Sequence, residues 1–283
     1  MGWRKAISIV VPVVGAGAAA LAFLSYREAM AQAESVWQDV AFRAEPSAGA
    51  FDPAMVANLP EIAQRYFRHA IAPGTPLSGC VVLEMQGVFL LGDKRSYQTY
   101  AMKARQILRP PRDFVWIPTM QSGFLRISGF DALVAKSAWT RFWLFGLIPV
   151  ANAQTSADLV RSARFRSAME GVWVPTSLLP QNGAQWDQLG PDQARIRLQK
   201  VYPEVVLDLT LGKDGSVREV IGQRWSNANP EQVFRLQPFG GTISSEATFG
   251  GYTIPSALRV GNHFGTDDFL PFFQVEVTRA DYL

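Results

Sequence analysis

Residues able to do covalent or metal chemistry are scarce in this chain of 283 residues, which has one cysteine and two histidines. Cys80 with His69 or His263 would supply a thiol nucleophile and its base. Cys80 sits in an apolar stretch, however, where a thiol ordinarily serves as packing. His263, Asp267 and Asp268 offer metal donors, but their spacing matches no established ligand pattern and falls in a glycine-containing turn. Glu170, ahead of Trp173, has the chemistry of a buried general acid. Pairing with Arg164 or Arg166 on the same helix is the simpler role. The chain carries no Gly-x-Ser-x-Gly elbow, phosphate loop or His-Glu-x-x-His pair. The sequence therefore assigns no catalytic residue, metal ligand or cofactor.

Its most distinctive stretch is apolar. Trp139-Thr140-Arg141-Phe142-Trp143-Leu144-Phe145-Gly146-Leu147-Ile148-Pro149 packs four aromatic residues into seven positions. Three readings stand. It is a core strand, a surface strand touching lipid head groups, or the wall of an apolar cavity. The cavity reading makes Trp139, Phe142, Trp143, Phe145 and Trp173 the candidate ligand-binding residues. It needs no catalytic group, because acyl chains require only apolar walls.

The elements that would position these residues begin with residues 6–24, an uncharged run of 19 residues after Arg4 and Lys5. Extended through Tyr26 it would be roughly 31 Å long as a helix, close to a bilayer's hydrocarbon thickness. The expectation is a single-pass anchor in the cell (inner) membrane, with the N-terminus cytoplasmic and the C-terminal domain extracytoplasmic. The alternative is a signal peptide cleaved near Ala31, since Ala29-Met30-Ala31 is an acceptable small-x-small site. Without residues 1–31 the chain keeps 24 of its 27 basic and 23 of its 24 acidic side chains, a net charge of +1. With no clustered basic patch, nucleic acid is not an expected partner. A lone cysteine excludes an intramolecular disulfide.

Residues 32–76 read as a helical linker or cap. Gln32–Arg43 continues the first helix, Glu45-Pro46-Ser47-Ala48-Gly49 breaks it, and Asp52-Pro53 and Pro60 each resemble a helix start. Ile62, Ala63, Tyr66, Phe67, Ala70 and Ile71 form one apolar stripe that ends before Pro73-Gly74. From Leu77 the pattern turns to strands, expected at 81–89, 97–108, 113–120, 123–128, 131–148, 184–189, 193–200, 203–211, 216–225, 231–238, 242–249, 252–260 and 270–279, with turns at 92–94, 213–215, 240–241 and 250–251. One helix interrupts them at about 156–170, capped by Thr155 or Ser156. Short connections imply antiparallel pairing, and so many strands curl. The expected fold is mainly β (α+β). Residues 77–283 would form a curved antiparallel sheet or partly open barrel with helices across its concave face, preceded by one transmembrane helix.

Three segments carry a family resemblance. They are Leu59-Pro60-Glu61-Ile62 with Arg65-Tyr66-Phe67, then Glu170-Gly171-Val172-Trp173-Val174-Pro175-Thr176-Ser177-Leu178-Leu179-Pro180 with Trp186, and finally Gly251-Tyr252-Thr253-Ile254-Pro255. From about Leu59 to Leu283 the chain resembles a bacterial and archaeal family of unknown function whose architecture is similar to lipoprotein carriers of the LolA, LolB and RseB type. That resemblance implies an unclosed antiparallel barrel with a helical lid over an apolar cavity, and no catalytic residue. The leading functional expectation is a membrane-anchored protein that binds a lipid, a lipoprotein acyl chain or another amphiphile. Alternatives are an envelope interaction or sensor protein with a protein partner, and a hydrolase with an unrecognised site.

Overall fold

The computed structural model describes residues 3–44 and 49–283, with side chains from Ala19 onward. The expected break at Glu45–Ala48 lies outside the described residues, as do the side chains of Arg4, Lys5 and most of the apolar run. Three α-helices, α1 (Trp3–Phe42), α2 (Glu61–Ala70) and α3 (Ala157–Met169), accompany thirteen strands. Between α2 and α3 lie β1 (Val81–Gly92), β2 (Tyr97–Arg109), β3 (Asp113–Ser122), β4 (Leu125–Val134), β5 (Ser137–Leu144) and β6 (Ile148–Ala153). After α3 come β7 (Ala184–Gln188), β8 (Gln193–Leu198), β9 (Val205–Leu211), β10 (Val217–Ser226), β11 (Arg235–Phe249), β12 (Tyr252–Asn262) and β13 (Leu270–Tyr282).

All the strands form one antiparallel sheet in the order β6-β5-β4-β3-β2-β1-β13-β12-β11-β10-β9-β8-β7. Each strand pairs with its sequence neighbour, except where β1 pairs with β13 and where the chain crosses from edge β6 to edge β7. That crossing contains α3, which lies against β3, β4 and β5 on one side and β9 and β10 on the other. Strands β4 and β10 are seven places apart in the sheet. If it were flat, they would be about 34 Å apart at the usual strand spacing, about three times the width of a helix. The sheet therefore curls around α3 without closing.

The local chemistry explains the helices. Ser156 has extended backbone angles and its Oγ accepts from Leu159 N at 3.1 Å, so it caps α3. Thr155, the other candidate, instead accepts from Ala138 N with its side chain. Asp52 caps a single 3-10 turn at Pro53–Val56. Ile62, Ala63, Tyr66, Phe67 and Ala70 on α2 are all buried, where they meet Trp186 and the sheet. His69 on the same helix lies 2.6 Å from Glu246 Oε2, whose other oxygen accepts from Val217 N at 2.9 Å.

The hydrogen bond to Glu246 raises the His69 pKa above its ordinary 6.5. A raised histidine pKa means that the folded state holds its proton more tightly than the unfolded chain. The pair's stabilisation is thus complete below about pH 6.5 and is lost as pH rises through the folded-state value. Urea unfolding on either side of that window should show this decline in the natural protein and its absence in His69→Gln. An unchanged pH profile in the variant would remove His69 from the account.

Two strand expectations need correction. The single strand anticipated at 131–148 is a β4–β5–β6 meander, turned at Ala135 (φ 56°) and at Phe145-Gly146 (φ 56° and 69°). Conversely, 231–238 and 242–249 merge largely into β11. Gly240-Gly241 is not a turn but mid-strand backbone in close contact with both neighbours. A Cβ at Gly241 would stand 2.2 Å from Arg259 O, and one at Gly240 would be 2.6 Å from Val220 O. Glycine is required there by proximity.

The largest departure concerns α1. Expected as a membrane anchor continuing outward, it packs along much of its length on the outer face of the sheet, against β2, β3 and β4. Ala29, Ala33, Trp37 and Val40 make a helical stripe buried against Cys80, Ile107, Val115, Phe130, Ala132 and Trp143. Polar contacts flank it, with Arg141 donating to Gln32 Oε1 at 2.9 Å, Arg105 pairing with Glu34, and the Arg105 guanidinium 4.6 Å from the Trp37 ring centroid. The helix is continuous through the anticipated boundary at residue 31. Among the described residues, no helix is long and apolar enough to cross a membrane.

Candidate functional site

Strand alternation divides the aromatic stretch between two faces of the sheet. Thr140, Phe142 and Leu144 point inward to a cavity of about 660 Å³, whereas Trp139, Arg141 and Trp143 point outward to α1. Trp143 is 4% exposed and meets Tyr26 edge-on at 5.6 Å. Phe145 belongs to neither face. It sits half-exposed in the β5–β6 turn. Trp173 lines the cavity from the segment after α3, and its Nε1 donates to Pro255 O at 2.9 Å. Of the five residues singled out by sequence, the cavity thus brings together Phe142 and Trp173.

Most of the wall comes from residues that carried no individual signal. Phe89, Trp116, Phe239, Phe272 and Phe273 form a connected aromatic lining, with ring centroids 5.4–6.4 Å apart. They belong to β1, β3, β11 and β13, distant in sequence and joined only by the β1–β13 pairing and the curl of the sheet. Leu91, Leu125, Leu144 and Val150 carry the wall to the end of the sheet bearing the β1–β2, β3–β4 and β5–β6 turns. Leu91 and Val150 are exposed, so the cavity opens at that end.

The lid adds charge to this apolar room. Arg166 of α3 donates through Nε to Glu170 Oε1 at 2.7 Å and through Nη1 to Asp131 Oδ2. Gln106 Nε2 donates to the second Glu170 oxygen at 2.6 Å, and Thr140 Oγ1 to the second Asp131 oxygen at 2.7 Å. The Arg166 guanidinium also lies 4.5 Å from the centroid of Phe114. Burial opposes its charge, but Glu170 and Asp131 outweigh that and keep it cationic. Arg224 of β10 is different. It has no carboxylate oxygen within 4.0 Å among the described residues. Its Nε donates to Ser162 Oγ at 3.1 Å, and its guanidinium lies 4.8 Å from the Phe239 centroid. Trp116 Nε1 and Gln106 Oε1 are buried without a hydrogen-bond partner.

The other sequence candidates fall elsewhere. Cys80 is 1% exposed beneath α1, and burial pushes its thiol up to about 12, so thiolate is scarce near neutral pH. His69 is bound to Glu246, and His263 Nε2 lies 3.0 Å from Ala228 O in the β12–β13 turn. Glu170 has the arginine partner its spacing anticipates. Among the described residues, no group of three His, Cys, Asp or Glu side chains is placed to hold a metal ion.

The model of a family of unknown function, DUF6544, matches residues 49–275. The chain belongs to that family. The matched region takes in α2, α3, nearly the whole sheet and every residue of the cavity wall. No curated protein matches the chain in sequence. Among solved structures, similarity extends to a LolA superfamily protein from Nitrosomonas europaea and a putative outer membrane lipoprotein-sorting protein domain from Vibrio parahaemolyticus. Both align at 10% identity with a TM-score of 0.37, over 78% of this chain and 90% and 91% of theirs. A DUF1329 family protein from Desulfovibrio piger aligns at the same identity and score, over 82% of this chain and 94% of its own. At that distance no activity transfers to this DUF6544 member.

Proposed function

We propose that this protein is a membrane-anchored, extracytoplasmic binding protein that holds a lipid or similar amphiphile in its apolar cavity. The observation that carries the reading is the cavity and the end of the molecule at which it opens. Its volume falls in the ordinary range of about 300–1,000 Å³ for small-molecule sites, and its wall is overwhelmingly aromatic and aliphatic.

The opening coincides with the stretch of α1 around Tyr26. Tyr26 rests against the β5–β6 turn, 3.1 Å from where a Gly146 Cβ would lie, and its hydroxyl accepts from Ser128 Oγ at 3.1 Å. Residues 19–25 of α1 therefore extend past that end of the sheet, with Leu21, Phe23 and Leu24 exposed. Beside them, exposed on the hairpin turns and the adjoining edge strand, are Phe124, Phe145, Leu147, Ile148 and Val150. A cluster of apolar groups around a cavity mouth, continuous with an apolar helix, is the arrangement expected where a domain rests on a bilayer. The burial of Ala29 and the Tyr26–Trp143 contact favours a retained helix over cleavage near Ala31.

Gentle extraction of the full chain from membranes, followed by native mass spectrometry, should show co-purifying amphiphile. Fractionation of the same cells should place the protein with the membranes. Recovery of a soluble protein beginning at Gln32 would overturn the anchor, and an empty cavity under all extraction conditions would overturn the binding role.

A further inference from the structure

Among the described residues, Arg224 is the one charged group lining the cavity with no oppositely charged side chain within 4.0 Å. Its neighbours Asp131 and Glu170 are both engaged by Arg166, and Gln106 and Thr140 occupy their remaining oxygens. Only Nε of Arg224 is bonded, to Ser162 Oγ. Its two terminal nitrogens donate to no protein group among the described residues, yet they are not sealed off as the orphaned Trp116 Nε1 is. The side chain is partly buried and partly accessible, and the open space beside it is the cavity. An arginine so placed presents a planar pair of donors to whatever enters.

We propose that Arg224 is the head-group anchor of the cavity, and that the ligand is a single-chain amphiphile whose head carries one negative charge. This rests on the amphiphile-binding reading and names the ligand class for it. The apolar rings of Phe89, Trp116, Phe239, Phe272 and Phe273 take the chain, and the Arg224 fork takes the head. The four charged groups of the wall, Arg166, Arg224, Asp131 and Glu170, sum to zero, so a monoanionic head on Arg224 leaves the cavity one charge out of balance and a dianionic head two. A doubly charged head would also face Asp131 and Glu170, whose like charge penalises it. Burial, helped by the Arg166 charge, pulls the pKa of the Arg224 guanidinium down to about 10, with Asp131 and Glu170 offsetting part of that fall. The shared chemistry is a carboxylate or a phosphodiester on one acyl chain.

The test uses the full chain in a neutral detergent and native mass spectrometry with four added probes. These are palmitate, 1-hexadecanol, palmitoyl lysophosphatidylglycerol and hexadecyl phosphate. Palmitate or the lysolipid should be retained about tenfold or more better than hexadecanol, the scale of one charge-assisted bidentate contact. Whichever of the two binds better identifies the head. Arg224→Met should abolish that preference, and Arg224→Lys should restore part of it. The wild-type comparison of palmitate with hexadecanol stands even if the methionine variant fails to fold. Equal retention of hexadecanol and both monoanions overturns the head-group assignment alone. Preferential binding of hexadecyl phosphate overturns the single-charge limit. Retention of no probe overturns the binding reading itself.

Discussion

Replacing Arg166 with leucine should destabilise the sheet domain by about 3–5 kcal/mol, the usual cost of stranding a buried charge by removing its partner. Here two carboxylates would be stranded, those of Asp131 and Glu170, both mostly buried on the cavity wall. Arg166 also ties α3 to β4 through Asp131, so its loss loosens the lid from the sheet as well as removing charge. The cost should be recovered in large part by adding Asp131→Asn and Glu170→Gln to the leucine variant, since neutral groups no longer need the cation. Denaturant unfolding of the single and triple variants measures both quantities. Equal midpoints for Arg166→Leu and the natural protein would mean that water, not Arg166, solvates those carboxylates.

Legibility in the sequence followed how local each signal was. Helix α2 could be read almost residue by residue, because its apolar stripe repeats at helical spacing and all of Ile62, Ala63, Tyr66, Phe67 and Ala70 are buried. The Ser156 cap, the glycine turns at Gly215 and Gly250-Gly251, and the antiparallel order of short strands are also local features. The β4–β5–β6 turns were missed because φ near 56° at Ala135 and Phe145 is imposed by the surrounding hairpins on residues that do not favour it. Gly240-Gly241 misled for the opposite reason, since the residue type common in turns also serves close strand contact.

The site was less legible than the fold. The cavity wall is assembled from β1, β3, β11 and β13, and no window of sequence contains that set. Arg224 stands in a strand that alternates irregularly, and only the placement of Arg166, Asp131 and Glu170 around it distinguishes it from any surface arginine. The side of the sheet taken by α1 was likewise hidden, because a helix stripe of Ala29, Ala33, Trp37 and Val40 demands an apolar surface without specifying which face supplies it.

The adjacent pair Phe142 and Trp143 offers the sharpest test of that two-faced arrangement, because one step along a strand moves a side chain from the cavity to the α1 interface. Trp143→Ala should cost about 3–5 kcal/mol, since it empties a nearly fully buried indole site beneath Tyr26. The loss should appear as faster amide exchange in residues 26–40 of α1, with retention of bound amphiphile little changed. Phe142 is only partly buried and borders space that is already open, so Phe142→Leu should be mild for both stability and binding. Phe142→Glu should leave α1 protected but abolish amphiphile retention, because a carboxylate facing acyl chain and aromatic wall is strongly unfavourable. A Phe142→Glu protein that folds and binds undiminished would remove this strand from the cavity wall. If instead Trp143→Ala emptied the cavity while α1 stayed protected, the two faces of β5 would have to be exchanged.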